Sequence, residues 1–121
     1  MKSIHRIDVH GIRLYANHGC MEEEAIIGTN YEINVSVWAN LTKSAHSDDL
    51  MDTVDYVSIN KIVEEEMAIR AALLEVVVRR ISERIMEEHP MVQKSDVSVA
   101  KLSPPINGDV DRVAVVFTLE R

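Results

Sequence analysis

At 121 residues the chain has room for one domain with an ordinary core, and not for two cofactor-binding units. A formal charge of −7 without a clustered Lys/Arg face argues against nucleic acid or an anionic membrane as partner, and favours an uncharged or cationic small molecule. Cys20 is the only cysteine, which excludes an intrachain disulfide and cysteine-rich zinc motifs and makes a reducing compartment, the cytoplasm, the expected location.

No basic segment leads into an apolar h-region, and no apolar run reaches bilayer-spanning length, so neither secretion nor insertion is expected. A first strand is expected from Ile4 to Tyr15, where Ile4, Ile7, Val9, Ile12 and Leu14 carry the apolar pattern and Gly11 marks a bulge that resets it. His18-Gly19 breaks the run, Met21 to Ile27 reads as a short helical turn, and Gly28 closes it. In the second strand Tyr31, Ile33, Val35, Val37, Ala39 and Leu41 alternate with Glu32, Asn34, Ser36, Trp38 and Asn40. That pattern predicts one buried face in an antiparallel sheet.

Lys43 to Asp55 is polar and turn-rich, and a helix is then expected from about Tyr56 to Ile69 on the spacing of Val57 or Ile59, Ile62, Val63 and Met67. Leu74, Val77, Val78, Ile81 and Ile85 form the core stripe of a second helix ending before Pro90, with Arg79, Arg80, Glu83, Arg84 and Glu87 on its solvent face. Strands at Asp96 to Leu102 and Arg112 to Leu119 follow, joined by Pro104-Pro105-Ile106-Asn107-Gly108. The order ββααββ predicts an α+β domain over residues 1–121, a four-stranded antiparallel sheet with two helices on one face. Two open edges and an uncovered Trp38 face predict pairing between copies in a ring-forming homo-oligomer.

Lys101 stands at a strand exit beside a stiff loop, because proline fixes φ and Asn-Gly tolerates positive φ. Taken alone, this segment favours a solvated lysine before a hairpin turn. His18, between a strand and a glycine, reads first as a turn cap and second as a catalytic imidazole. The five histidines show no H-x-H or H-x-x-x-H pairing, so no metal is assigned. Glu22, Glu23 and Glu24 read as a solvated helix start with one carboxylate free to turn inward. Asp52-Thr53-Val54-Asp55-Tyr56 has the form of a capped helix start, with Thr53 or Asp55 as cap. Glu75 lies near a helix N-terminus, where the macrodipole favours a carboxylate, and where a functional one would accept paired N–H donors from an amidine-like heterocycle.

Five pieces in register across this pattern resemble the dihydroneopterin aldolase family. They are Gly11-Ile12-Arg13-Leu14-Tyr15-Ala16-Asn17-His18-Gly19, Glu24 followed by Gly28, Ser47-Asp48-Asp49-Leu50 through Thr53-Val54-Asp55-Tyr56, Leu73-Leu74-Glu75, and Lys101-Leu102-Ser103-Pro104-Pro105-Ile106. The resemblance implies the tunnelling fold, in which sheets of neighbouring subunits join into a barrel and two rings stack into an octamer, with sites between subunits. It implies Glu75 as pterin anchor with the Leu74 backbone beside the ring, Val54 and Tyr56 contributed by the neighbouring subunit, with Tyr56 stacking near the heterocycle or addressing the substrate side chain with its hydroxyl, Glu24 holding side-chain hydroxyls or water, and Lys101 as general acid/base.

The implied reaction is retro-aldol cleavage of 7,8-dihydroneopterin without metal, cofactor or Schiff base, provided burial lowers the Lys101 pKa toward working pH. Side-chain epimerisation by recombination of the same fragments belongs to the same expectation. Val76, Asn107 and Asn17 stand where the family commonly has histidine, proline and an aromatic residue, and none of them removes a group named above. Dihydroneopterin triphosphate epimerase and a non-catalytic pterin-binding oligomer are the alternatives. A triphosphate would require clustered cations, and the sequence offers only Lys101 and scattered arginines.

Overall fold

The alternating runs form one antiparallel sheet in the computed structural model, which describes residues 1–121. The elements are β1 (Arg6–Ala16), α1 (Glu22–Ile26), β2 (Thr29–Ala39), α2 (Thr42–Ser47), a 3-10 turn (Leu50–Asp52), α3 (Tyr56–Met67), α4 (Leu74–Glu88), β3 (Val92–Leu102) and β4 (Arg112–Glu120). Strand order follows chain order, β1-β2-β3-β4, and each neighbouring pair is antiparallel. The α+β architecture expected from the pattern is therefore present, and β1 and β4 are open edges.

Gly11 does what the broken alternation implied. The β1–β2 register shifts between Val9 and Ile12, Gly11 takes φ +73°, and its N–H donates to Asn34 Oδ1 at 2.7 Å. A residue with a Cβ resists that φ, so glycine lets the strand resume with Ile12 and Leu14 directed at the core.

Ile33, Val35 and Val37 of β2 and Val97 and Val99 of β3 are fully buried beneath Ile59 and Val63 of α3 and Val77, Val78 and Ile81 of α4. Full burial of each such side chain stabilises by about 1.5–3 kcal/mol relative to exposure, which overrides the mild helix penalty of the Val76-Val77-Val78 run. On the opposite sheet face Trp38 lies between Arg6 and Lys94, at 5.6 and 4.8 Å from its ring centroid. No helix is long and apolar enough to cross a membrane.

Three details differ from the sequence reading. The segment after β2, read as polar turns, contains α2, which Asp48 ends in the left-handed region at φ 57°. A six-residue helix depends on its surroundings rather than on propensity, so periodicity could not reveal it. Strand β3 begins at Val92 rather than Asp96, because a register irregularity at Trp38/Ala39 moves the inward position and the polar Ser95 occupies a buried site. Arg80 and Arg84 are not free surface charges. They pair at 3.2 and 3.0 Å with Glu66 of α3, a carboxylate only 9% exposed, and Arg80 also donates to the Ile69 carbonyl past the end of α3. Helical spacing alone cannot separate a solvent stripe from a helix–helix clamp.

Candidate active site

Strand alternation that sends Val97 and Val99 into the core sends Lys101 to the same face, opposite Tyr31 in the ladder. The lysine is 8% exposed, so the local reading of a solvated side chain fails. Its Nζ donates to the His18 main-chain oxygen at 2.7 Å and pairs with Glu24 Oε2 at 2.5 Å. The Tyr31 hydroxyl donates to the same His18 oxygen at 3.1 Å, and Nζ lies 5.8 Å from the Tyr31 ring centroid, within cation–π range. These partners compensate the ammonium for water it has lost.

Glu24 is the inward member of the acidic run, while Glu22 and Glu23 remain exposed. Its Oε1 accepts the Met21 N–H at 3.3 Å, so the start of α1 aims the other oxygen at Lys101. The bond to the Lys101 ammonium holds the Glu24 carboxyl below its usual range, against the opposing effect of burial.

Gly19 makes this approach possible. It adopts φ +147°, and a Cβ there would fall inside the Glu24 carboxylate. Gly19→Ala is therefore expected to destabilise the fold by about 1–3 kcal/mol through backbone strain and to push Glu24 off Lys101. Urea unfolding reads the first effect, and an NMR titration in which the Glu24 carboxyl returns toward its ordinary range reads the second.

His18 is 1% exposed and its ring meets Tyr31 edge-on at 5.4 Å. Nδ1 accepts the Ala71 N–H at 3.1 Å, while Nε2 faces the Met67 carbonyl without a hydrogen bond of normal geometry. Burial pushes the imidazole pKa below 6.5, and the cations Arg80 of α4, Lys101 of β3 and Arg70 of the α3–α4 loop push the same way against the Met67 carbonyl. A lowered native pKa means that the unfolded chain takes up the proton first as pH falls. Stability from this group is thus complete above about pH 6.5 and declines as pH drops through 6.5 toward the native value. Urea unfolding at pH 7.5 and 5.5 should show that decline, and His18→Asn should flatten it over the same interval.

Leu74 and Glu75 open α4, placing the Glu75 carboxylate in the first turn, exposed and outside every ion pair of the chain. Lys101, Glu24, Leu74 and Glu75 share one cavity of about 310 Å³, whose apolar wall includes Val113, Val115 and Ile106. That volume suits a small heterocycle. A neighbouring cavity of about 270 Å³ lies on the other side of Glu24, against His18, Thr29 and Tyr31.

Tyr56 and Val54 are not brought to this cavity. Asp55 caps α3 by accepting the Val57 N–H at 2.9 Å, and this presents Tyr56 outward at 64% exposure while Val54, at 1%, belongs to the core of its own chain. No group of three or more His, Cys, Asp or Glu side chains is arranged to hold a metal ion.

Sequence reasoning did not find the His18 carbonyl or Tyr31 as partners of Lys101. A tyrosine heading the buried face of β2 was the available signal, since a buried hydroxyl needs an acceptor.

The family model for dihydroneopterin aldolase matches residues 7–118. A dihydroneopterin aldolase of Staphylococcus epidermidis is 30% identical over 115 residues, covering 94% of this chain and 95% of that protein. The crystal structure of E. coli dihydroneopterin aldolase in complex with neopterin matches at TM-score 0.87 and 18% identity, covering 95% of this chain and 98% of that one. A Burkholderia dihydroneopterin aldolase bound to guanine matches at TM-score 0.80 and 22% identity, covering 98% and 92%. At those identities the two structures establish a shared fold, and the match along the sequence establishes the kinship: this chain belongs to the dihydroneopterin aldolase family.

Proposed function

We propose that the chain cleaves 7,8-dihydroneopterin by a retro-aldol reaction to 6-hydroxymethyl-7,8-dihydropterin and glycolaldehyde, a step toward folate. The observation that carries this reading is the placement of Lys101, Glu24 and Glu75 on one largely apolar cavity. One amine and two carboxylates match the needs of the reaction, proton transfer at one end of the substrate and recognition of a heterocyclic edge at the other.

Neopterin and guanine, the ligands of the two structural relatives, share a 2-amino-4-oxopyrimidine edge. A carboxylate reads that edge by accepting from the 2-amino group and the ring N3–H in parallel, and Glu75 is free to do so beside the Leu74 backbone. At the other end a base removes the proton of the side-chain hydroxyl, the carbon–carbon bond breaks, and its electrons enter the C=N of the dihydropterin ring. A proton then returns to the carbon left on the ring. The substrate supplies its own electron sink, so neither metal, cofactor nor Schiff base is required. Lys101 is the proton-transfer group, working through water, and Glu24 holds the hydroxyls or that water against it.

Tyr56 reaches the site from a neighbouring copy, through the Val54–Tyr56 segment. Its exposure outside its own cavity and the open edges of β1 and β4 support a homo-octamer of two stacked rings. Light scattering that found a monomer at micromolar concentration would overturn this assembly. Work in the cytoplasm suits the one free, exposed thiol, Cys20. A triphosphate substrate fits poorly, because Lys101 is the only cation lining the cavity and two carboxylates oppose a polyanion.

Incubation of purified, metal-chelated protein with 7,8-dihydroneopterin, followed by chromatography of the pterins, tests the proposal. The hydroxymethyl product is expected, and absence of both that product and an epimer would refute it.

A further inference from the structure

His18 makes contacts at both ends of the site that a turn cap would not need. Its main-chain oxygen accepts from Lys101 Nζ and from the Tyr31 hydroxyl. Its ring nitrogen Nδ1 accepts the N–H of Ala71, three residues before Leu74 and four before Glu75. Receiving that N–H leaves Nδ1 without a proton and puts the ring proton on Nε2, which faces the Met67 carbonyl without a hydrogen bond of normal geometry. A buried N–H with so poor a bond is costly, and a phenyl ring would fill the same space beside Tyr31 without that cost. The imidazole is therefore explained by what Nδ1 holds. Around it Gly19 N–H donates to the Ala71 carbonyl at 3.0 Å and Arg70 donates to the Gly19 carbonyl at 2.6 Å, so segment 18–19 is stitched to segment 70–71. Of the residues in this seam, His18 is the one that also accepts a hydrogen bond from Lys101.

We propose that His18 is a positioning residue whose main-chain oxygen fixes Lys101 and whose unprotonated Nδ1 fixes the Ala71 segment leading into Glu75, so that one residue sets the span between the proton-transfer group and the ligand anchor. The roles of Lys101 and Glu75 rest on the proposed dihydropterin cleavage. The seam itself does not. Because the main-chain oxygen survives substitution, loss of the side chain disturbs Glu75 more than Lys101, and the defect falls on ligand affinity.

The test compares wild type, His18→Phe and His18→Asn for kcat and KM with 7,8-dihydroneopterin and for guanine affinity by calorimetry. Phenylalanine keeps the ring and removes the acceptor; asparagine keeps an acceptor, Oδ1, the same number of bonds from Cβ. For His18→Phe, KM and the guanine Kd should each rise about tenfold while kcat changes by less than about threefold, and His18→Asn should recover most of the loss. A merely structural role would lower the active fraction, and so the apparent kcat, at unchanged KM. Unchanged KM and guanine Kd in His18→Phe, or equal loss in both variants, would overturn the inference. Imidazole nitrogen NMR of the wild type decides if His18→Phe does not fold: an unprotonated Nδ1 with the proton on Nε2 supports the proposal, and a protonated Nδ1 overturns it. Failure of wild-type protein to turn over dihydroneopterin would refute the reaction alone, since guanine affinity and the ring tautomer still read the positioning role.

Discussion

Lys101→Ala is expected to lower kcat by about 10²–10⁴-fold, the usual worth of a positioned acid/base, with KM and guanine affinity changing by less than about threefold. The asymmetry follows from where the side chain ends. Nζ sits between the His18 carbonyl and Glu24, at the part of the cavity where substrate hydroxyls are proposed to lie, whereas the heterocycle is assigned to Glu75. Removing the ammonium takes away the proton carrier and leaves the heterocycle its anchor.

The substitution also leaves Glu24 without its cation. That side chain is 16% exposed and regains water, so the stability cost should fall below the roughly 3–5 kcal/mol of breaking a fully buried pair. Circular dichroism and urea unfolding confirm that the variant tested is folded. Equal loss of turnover and guanine binding in a folded variant would identify Lys101 as a structural cation and remove it from the mechanism.

What the sequence carried about this site divides by distance along the chain. The fold was legible because alternation and helical spacing are local signals, and Gly11, Pro90 and the Pro104-Pro105 loop punctuate them. Lys101 was visible only as an amine at a strand exit. Its burial depends on continuing the inward phase of Val97 and Val99 for two more residues, and on two partners that no local pattern announces. Glu24 lies 77 positions away, and which of three adjacent glutamates turns inward is decided by the start of α1 together with the missing Cβ of Gly19. Glu66 shows the same limit in the scaffold. A glutamate in one helix and arginines four apart in the next read as solvent stripes until α3 and α4 are packed together. The register of family motifs named Lys101, Glu24 and Glu75 together, which the fold places on one cavity, and it said nothing of Tyr31 or the His18 carbonyl, which hold Lys101.

Glu75→Ala is expected to give the complementary defect, about a 10- to 150-fold loss of affinity for 7,8-dihydroneopterin and guanine, the range for losing hydrogen bonds to a charged group. Stability should scarcely change. Glu75 is exposed and outside every ion pair, and its interaction with the helix dipole is worth only about 0.3–1 kcal/mol. Glu75→Gln sharpens the point: an amide oxygen accepts one of the two proposed N–H donors, but the amide NH2 meets the other donor to donor, so glutamine should recover little. A pterin lacking the 2-amino group should in turn bind wild type poorly and discriminate weakly between wild type and Glu75→Ala, because the group read by the carboxylate is already missing. Calorimetry on the four protein–ligand pairs reads this coupling as a double-mutant cycle, and additive losses would place the 2-amino group elsewhere. A non-catalytic pterin-binding oligomer would reproduce the Glu75 result but could not show the selective loss of kcat in Lys101→Ala. Only a catalyst separates the two substitutions into one defect of affinity and one of rate.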